Sequence, residues 1–301
     1  MGVIYLKSIN DLKEVVPGTN LVLGLFDGVH IGHYQLINAA RYMTKGSLSI
    51  LTFDVSLKSN DRQVLLSLDD KVRKFLEMGV DYVYVFMCDE HFREISADDF
   101  INNILKKFAP NKIFCGPDFK FGYKALGNVD LLKQTFANVV VLNYVNDYDE
   151  TKISSSIIKQ YIRNGEIENA NRFLGYDYYV KGIVVKGKKN GHKFGFPTIN
   201  LELVANYVIP KDGVYITKTI IGNRVFPSMT NVGTHPTIDE LSKPLIETHI
   251  LGFDENIYGE EVSVKFYKKI RDEIHFENIE DLKNELYKNE QEVEKYFEIT
   301  L

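Results

Sequence analysis

The strongest constraint on the fold is a change of pattern partway along the chain. From Asn20 to about Val145, short apolar runs alternate with amphipathic segments, the signature of βαβ units around a parallel sheet. Five strands are predicted there: LVLGLF from Leu21, LSILTF from Leu48, YVYVFM from Tyr82, NKIFC from Asn111 and VVVLNYV from Val139. Helix starts are marked by Ser67 and Ser96, each followed three residues later by an aspartate (Asp70, Asp99) in a box-like cap. After Ile153, SSSIIKQYIRNGEIENANRFLG reads as two short helices broken near Gly165 and ended at Gly175. From Tyr178 the runs turn β-branched and aromatic, separated by Gly, Asn, Asp and Pro. They are YYVKGIVVKG, TINLE, GVYITKTII, RVFPSMTNV, LIETHIL and EEVSVKFYKK. Such runs predict an antiparallel barrel or sandwich, and a helix from about Ile279 closes the chain.

Two domains are therefore expected, residues 1–176 and 177–301, in keeping with a length of 301 residues and about 150 residues per domain. A net charge of -5 gives no global positive field to gather DNA or RNA, so any nucleotide must be held by a local site and no nucleic-acid partner is expected. Cys88 and Cys115 lack metal-ligand spacing and sit in apolar runs, as reduced core residues would. No run approaches the ~18 apolar residues of a membrane span, and no basic leader precedes an apolar stretch, so the expectation is a soluble cytoplasmic protein without a membrane partner. Oligomeric state is left open by the sequence.

The first predicted strand runs into GLFDGVHIGHYQLINAA, which puts His30 and His33 where strand gives way to helix, the place at which open parallel sheets bind ligands. A helix start presents free N–H groups and the positive end of the dipole to a phosphate chain. Gly24, Gly28 and Gly32 allow close backbone approach. Histidines at i and i+3 can donate N–H bonds to an α-phosphate whose charge grows as pyrophosphate leaves.

A second candidate lies in VKGIVVKGKKNGHKFGFPTINL. Gly182, Gly187, Gly191 and Gly195 free the backbone to approach a polyphosphate, while Lys186, Lys188, Lys189 and Lys193 supply local positive charge. By itself such a loop is more often a solvated hairpin. Thr198 and Asn200, two residues apart on an extended chain, face one side and can both coordinate Mg²⁺.

The string from Phe26 and Asp27 through His33 resembles the nucleotidyltransferase superfamily signature in the FDGVHxGH form of FAD synthetases. KISSSIIKQYIR resembles that superfamily's ISSTxxR motif, which implies that Ser155, Ser156 and Lys159 hold ATP phosphates, with Lys159 standing where the family has arginine. GPDFKFGYKALG resembles the GxxFxFGxxxxG loop of the flavin and nucleotide pocket, with Asp118 and Lys120 at its variable polar positions. LTFDVSLKS departs from the family's usual Pro-His-Pro. Aminoacyl-tRNA synthetases share the HIGH-type signature, but this domain is too small and shows no amino-acid pocket or tRNA-binding extension.

In the second half, GFPTIN, PKDGVY, MTNVGTHPT, IETHILGFDENIYGE and IRDEIHF resemble riboflavin kinases in the same order. That resemblance implies MgATP binding by Thr198 and Asn200, Glu247 as the general base for the ribityl hydroxyl, and Asn231 and Arg271 near the flavin. The whole chain thus resembles the prokaryotic bifunctional riboflavin kinase/FAD synthetase family. The implied fold is a Rossmann-like parallel sheet followed by a six-stranded Greek-key β-barrel with a terminal helix. The implied small molecules are riboflavin, FMN, FAD, ATP, ADP and pyrophosphate. Two other readings stand beside it, a kinase with a degenerate first domain and a flavin-binding regulator without turnover. Retention of His30, His33, Thr198, Asn200 and Glu247 together argues against the regulator, since a binder needs neither base nor phosphate clamp.

Overall fold

The computed structural model describes residues 2–54, 63–87, 94–147, 150–187, 195–234 and 244–299. The chain divides into two compact units, Met1–Ser155 and Ser156–Leu301.

The first unit is a six-stranded parallel sheet in the order β1-β4-β3-β2-β5-β6. Its strands are β1 (Gly2–Leu6), β2 (Asn20–Leu23), β3 (Leu48–Asp54), β4 (Tyr82–Met87), β5 (Lys112–Cys115) and β6 (Val139–Val141). Five are those the apolar runs mark. The sixth, β1, pairs in parallel with β4 from Gly2↔Tyr82 to Leu6↔Phe86 and was not anticipated. All four residues of β2 and six of the seven of β3 are buried, as strands covered on both faces require. Cys115, buried in β5, carries a thiol pushed up to about 11 by burial and is an inert core residue. Helices α1 (Ile31–Tyr42), α2 (Leu68–Glu77) and α3 (Val129–Thr135) flank the strands in sequence. Ser67 caps α2, accepting from the Asp70 amide at 3.2 Å and donating to its carboxylate at 2.9 Å. Ser96 and Asp99 make the same pair of bonds at 3.0 and 2.7 Å.

Because β3 and β4 lie on one side of β2 and β5 on the other, the strand order reverses between β2 and β5. The loops that follow these two strands open at this switch point.

The second unit begins with most of α4 (Ser155–Asn164), followed by α5 (Ile167–Leu174). The two are broken at Gly165 and the second ends at Gly175, both with left-handed φ, +81° and +79°. Asn171 of α5 donates to the Phe266 carbonyl and accepts from the Tyr178 amide, fastening the helix to the barrel. Six antiparallel strands close into that barrel in the order β10-β11-β8-β7-β12-β9. They are β7 (Tyr179–Val185), β8 (Thr198–Leu203), β9 (Gly213–Ile221), β10 (Arg224–Thr234), β11 (Pro244–Ile250) and β12 (Glu261–Arg271).

Alternation along β9, β10 and β11 sorts two faces. One carries Thr217, Thr219, Ser228, Thr230 and Thr248, all fully buried, whose hydroxyls bond to one another at 2.8–2.9 Å. Satisfied in this way, buried hydroxyls cost the interior little. The opposite face carries Val214, Ile216 and Met229, which form a second apolar layer with Phe196, Leu286 and Val293. Leu286 and Val293 belong to α6 (Ile279–Phe297), capped by Asn278, so the terminal helix lies against the outer barrel wall.

Candidate functional site

In the first unit the connection from β2 to α1 is backbone under constraint. Phe26, Gly28 and Val29 take left-handed φ values of 55°, 82° and 38°. A non-glycine residue there costs on the order of 1–3 kcal/mol, a strain kept only where the surroundings enforce it. The Phe26 ring turns back against the strand end, where a Cβ on Gly24 would stand 2.7 Å from its Cζ. It also meets the rings of His33 and Phe75 edge-on at 5.1 and 5.4 Å. Asp27 accepts from the Leu65 amide at 2.9 Å through its carboxylate and from the Ser155 hydroxyl at 2.8 Å through its carbonyl.

His30 is the N-cap of α1 but makes no side-chain cap bond. It stacks on His33 instead, ring centroids 3.6 Å apart, with Gly32 leaving room for its ring. The Nδ1 atoms of both histidines are buried without a hydrogen-bond partner among the described residues, so each ring has hydrogen-bonding capacity unspent. Burial lowers the His30 pKa to about 4, with Asp27 and Asp118 pulling upward and Lys152 downward. His33 is held well below its ordinary value by burial first, then by His30 and Lys71. Both rings are therefore neutral near pH 7.

This has a consequence for stability. An unfolded imidazole takes up its proton near pH 6.5, whereas the folded His30 does so only near 4, so stability is lost as pH falls between those values. At 1.36 kcal/mol per unit, unfolding of the first unit in urea becomes easier by about 2–3 kcal/mol from this group between pH 7 and 4.5. The parent should lose that much more than His30→Gln over the same range, and equal losses would refute the buried neutral state.

From the other side of the switch point, after β5, comes Asp118, whose carboxylate accepts from Lys152 at 3.1 Å. Lys152 also lies over the Tyr144 ring, 3.4 Å from its centroid. Burial lowers the Lys152 pKa, but hydrogen bonds to Asp118 and Tyr144 outweigh it and leave it raised. Lys152 opens the KISSS string and Tyr144 precedes it, yet sequence reasoning singled out neither. Lys71 was missed too. Its buried ammonium donates to the Leu25 and Phe53 carbonyls and the Thr52 hydroxyl, joining the ends of β2 and β3. Lys120 is exposed, as is Ser156, while Lys159 is partly buried on α4.

In the second unit, register does the assembling. Glu247 of β11 stands opposite Asn200 of β8 on one side and Asn231 of β10 on the other. The row continues through Asn231↔Val214 and Val214↔Arg271. Thr198, paired with His249, joins the same face one step along. This is the outer face, and between it and α6 lies a cavity of about 590 Å³ lined by Thr198, Asn231, Glu247, His249 and Arg271. A neighbouring cavity of about 430 Å³ is lined by Lys186, Gly187, Asn200 and, again, Glu247. Glu247 thus borders both. Thr198 also lines a third, of about 380 Å³, with Phe253 and Asn256.

A Cβ at 187 would come 2.2 Å from the Asn200 carboxamide nitrogen, so the carboxamide occupies the space that this glycine leaves. Gly182 sits inside β7 opposite Leu203, and Gly195 precedes β8 with φ +87°. Lys193 lies outside the described residues. Arg271 is held by Glu285 at 3.3 Å and by the Asn289 side-chain oxygen at 3.4 Å, both from α6.

The riboflavin kinase family model matches residues 174–297, and the FAD synthetase model residues 12–157. A bifunctional riboflavin kinase/FMN adenylyltransferase of Listeria monocytogenes is 37% identical, with 92% of each chain covered. One of Bacillus subtilis is 31% identical, with 95% of each chain covered. A crystal structure described as a macrolide-efflux protein from Streptococcus pneumoniae has a TM-score of 0.86 and 28% identity, covering 97% of this chain and 98% of that one. Among the described residues no helix is long and apolar enough to cross a membrane.

Proposed function

We propose, from the premise that the chain belongs to the family of bifunctional riboflavin kinase/FMN adenylyltransferases, that its two chemistries are divided between residues 1–176 and 177–301. The activities are ATP-dependent phosphorylation of riboflavin to FMN and adenylylation of FMN to FAD, with ATP a substrate of both.

For the kinase, the observation that carries the reading is the register row Asn200–Glu247–Asn231 on the wall shared by two cavities. Lys186, Gly187 and Gly195 border the ATP phosphates, together with Lys193 by resemblance. Gly182 contributes through close strand packing. Asn231 and Arg271 border the flavin in the larger cavity. Glu247 accepts the proton of the terminal ribityl hydroxyl as that oxygen bonds to the γ-phosphorus and ADP leaves. A carboxylate suffices because positioning and charge neutralisation dominate phosphoryl transfer.

Thr198 and Asn200 suit Mg²⁺. Both offer neutral oxygens on one face of β8, and the Asn200 carboxamide fills the space that Gly187 leaves. A Mg²⁺ held there would take its remaining ligands from water and phosphate. When bound, Mg²⁺ neutralises phosphate charge. Thr198→Ala and Asn200→Ala should each raise the Mg²⁺ concentration needed for FMN formation and change riboflavin affinity less. A Mg²⁺ titration that overlays the parent curve would make this segment a structural turn only.

For the adenylyltransferase, a phosphate oxygen of FMN attacks the α-phosphorus of ATP and pyrophosphate leaves, so no side chain need accept a proton. Neutral His30 and His33 suit that step, since they donate hydrogen bonds to the α-phosphate as its charge grows. Gly24, Phe26, Asp27, Gly28 and Gly32 form the turn that presents them, and Ser155, Ser156 and Lys159 serve the ATP phosphates. Asp118 and Lys120 border the flavin. The cytoplasm is the proposed setting, in keeping with the free, buried Cys115.

Incubation of the purified protein with riboflavin and MgATP, followed by chromatographic separation, should yield FMN and then FAD. FMN without FAD would identify a kinase whose first unit has lost its activity, and neither product a flavin binder.

A further inference from the structure

We propose that His249 is a positioning residue for the kinase reaction, fixing the Phe196–Pro197–Thr198 segment and tying it to the terminal helix. With no ligand spacing around it, this histidine reads from the sequence alone as an ordinary polar residue. It is 8% exposed and lies two residues beyond Glu247 on the same face of β11. Its Nδ1 is 2.7 Å from the Pro197 carbonyl oxygen. A carbonyl only accepts, so Nδ1 carries the hydrogen and the tautomer is set.

That carbonyl belongs to the peptide unit joining Pro197 to Thr198, so the bond orients the plane from which the Thr198 side chain departs. Strand register places Thr198 directly opposite His249. Phe196, one residue earlier, meets the same imidazole edge-on at 5.2 Å and Tyr287 of α6 at 4.9 Å. Three consecutive residues are thus gripped from one side.

The other ring nitrogen, Nε2, faces Glu290 of α6 at 3.8 Å. On the same helix, Glu285 and Asn289 hold Arg271 across the cavity. The terminal helix therefore braces the segment ahead of Thr198 through His249, and the opposite wall through Arg271. A space-filling residue would need no N–H directed at the Pro197 carbonyl.

The inference rests on the reading that Thr198 helps hold MgATP, and the test separates the two. MgADP is titrated onto the full-length protein with riboflavin bound, followed by flavin fluorescence, for His249→Asn, His249→Gln, His249→Ala and Thr198→Ala. Asparagine places an amide N–H close to the position of Nδ1, whereas glutamine reaches toward Nε2. Losing a bond of this kind should weaken MgADP binding roughly three- to tenfold in His249→Ala and His249→Gln. His249→Asn should restore most of it, and riboflavin affinity should fall less than MgADP affinity throughout. Should His249→Asn bind as weakly as His249→Gln, or His249→Ala as tightly as the parent, the proposal fails. Equal loss of riboflavin and MgADP binding in every His249 variant would also overturn it, as a mere packing role. An unchanged Thr198→Ala would refute the metal-holding reading, while the contrast between asparagine and glutamine still decides His249.

Discussion

Glu247→Gln should lower riboflavin phosphorylation by about 10²–10⁴-fold, the usual worth of a positioned base, while FMN adenylylation continues at the parent rate. The substitution keeps the size and polarity of the side chain, so neither the pairing of β11 with β8 and β10 nor the two cavities that Glu247 borders should change. What it removes is the carboxylate that accepts the ribityl proton. Asn200 and Asn231, the neighbours in register, are carboxamides and cannot take over. The measurement is each half-reaction assayed alone, with riboflavin or with FMN supplied, alongside a riboflavin binding curve. A drop in kcat at unchanged riboflavin affinity is expected. A rise in KM at unchanged kcat would make Glu247 a binding residue only.

His33→Ala should give the reverse pattern. Riboflavin phosphorylation continues, FMN accumulates, and FAD formation falls by about 10²–10³-fold, the typical cost of one lost donor to developing charge. His33 is stacked on His30 and edge-on to Phe26, so truncation also loosens the turn that presents both rings. His33→Asn, which retains an N–H near the ring position, separates the two effects. If the asparagine variant recovers activity in part, the donor matters. If it is as slow as alanine while its urea unfolding matches the parent, the imidazole itself is required. An unaffected rate in both variants would remove His33 from the mechanism, and loss of both half-reactions in either folded variant would overturn the division of chemistry between residues 1–176 and 177–301.

Much of this protein was legible in the sequence because the signals are local. A strand buried on both faces needs an unbroken apolar run, as at β2 and β3, and a capped helix start needs Ser with Asp three residues on, as at α2. The six barrel strands follow from β-branched runs between turn residues, and two helix breaks from Gly165 and Gly175. Thr198 and Asn200 share a face because side chains alternate along any strand.

What the sequence could not decide depends on which distant segments pair. The run GVIYL at β1 has strand character, but only pairing with β4 makes it an edge of the sheet. Asn200, Glu247 and Asn231 come from three strands, and a register slip of one residue would turn Glu247 to the opposite face of the wall. Asp118 and Lys152 meet across 34 residues of sequence. The low pKa of His30 comes from the walls around it, since a histidine at a helix start in water would titrate near 6.5. His249 carries no motif of its own and gains a role only where β8, β11 and the terminal helix converge. Element types and motifs are thus encoded residue by residue, whereas register, burial and the meeting of remote side chains arise only once the chain has closed on itself.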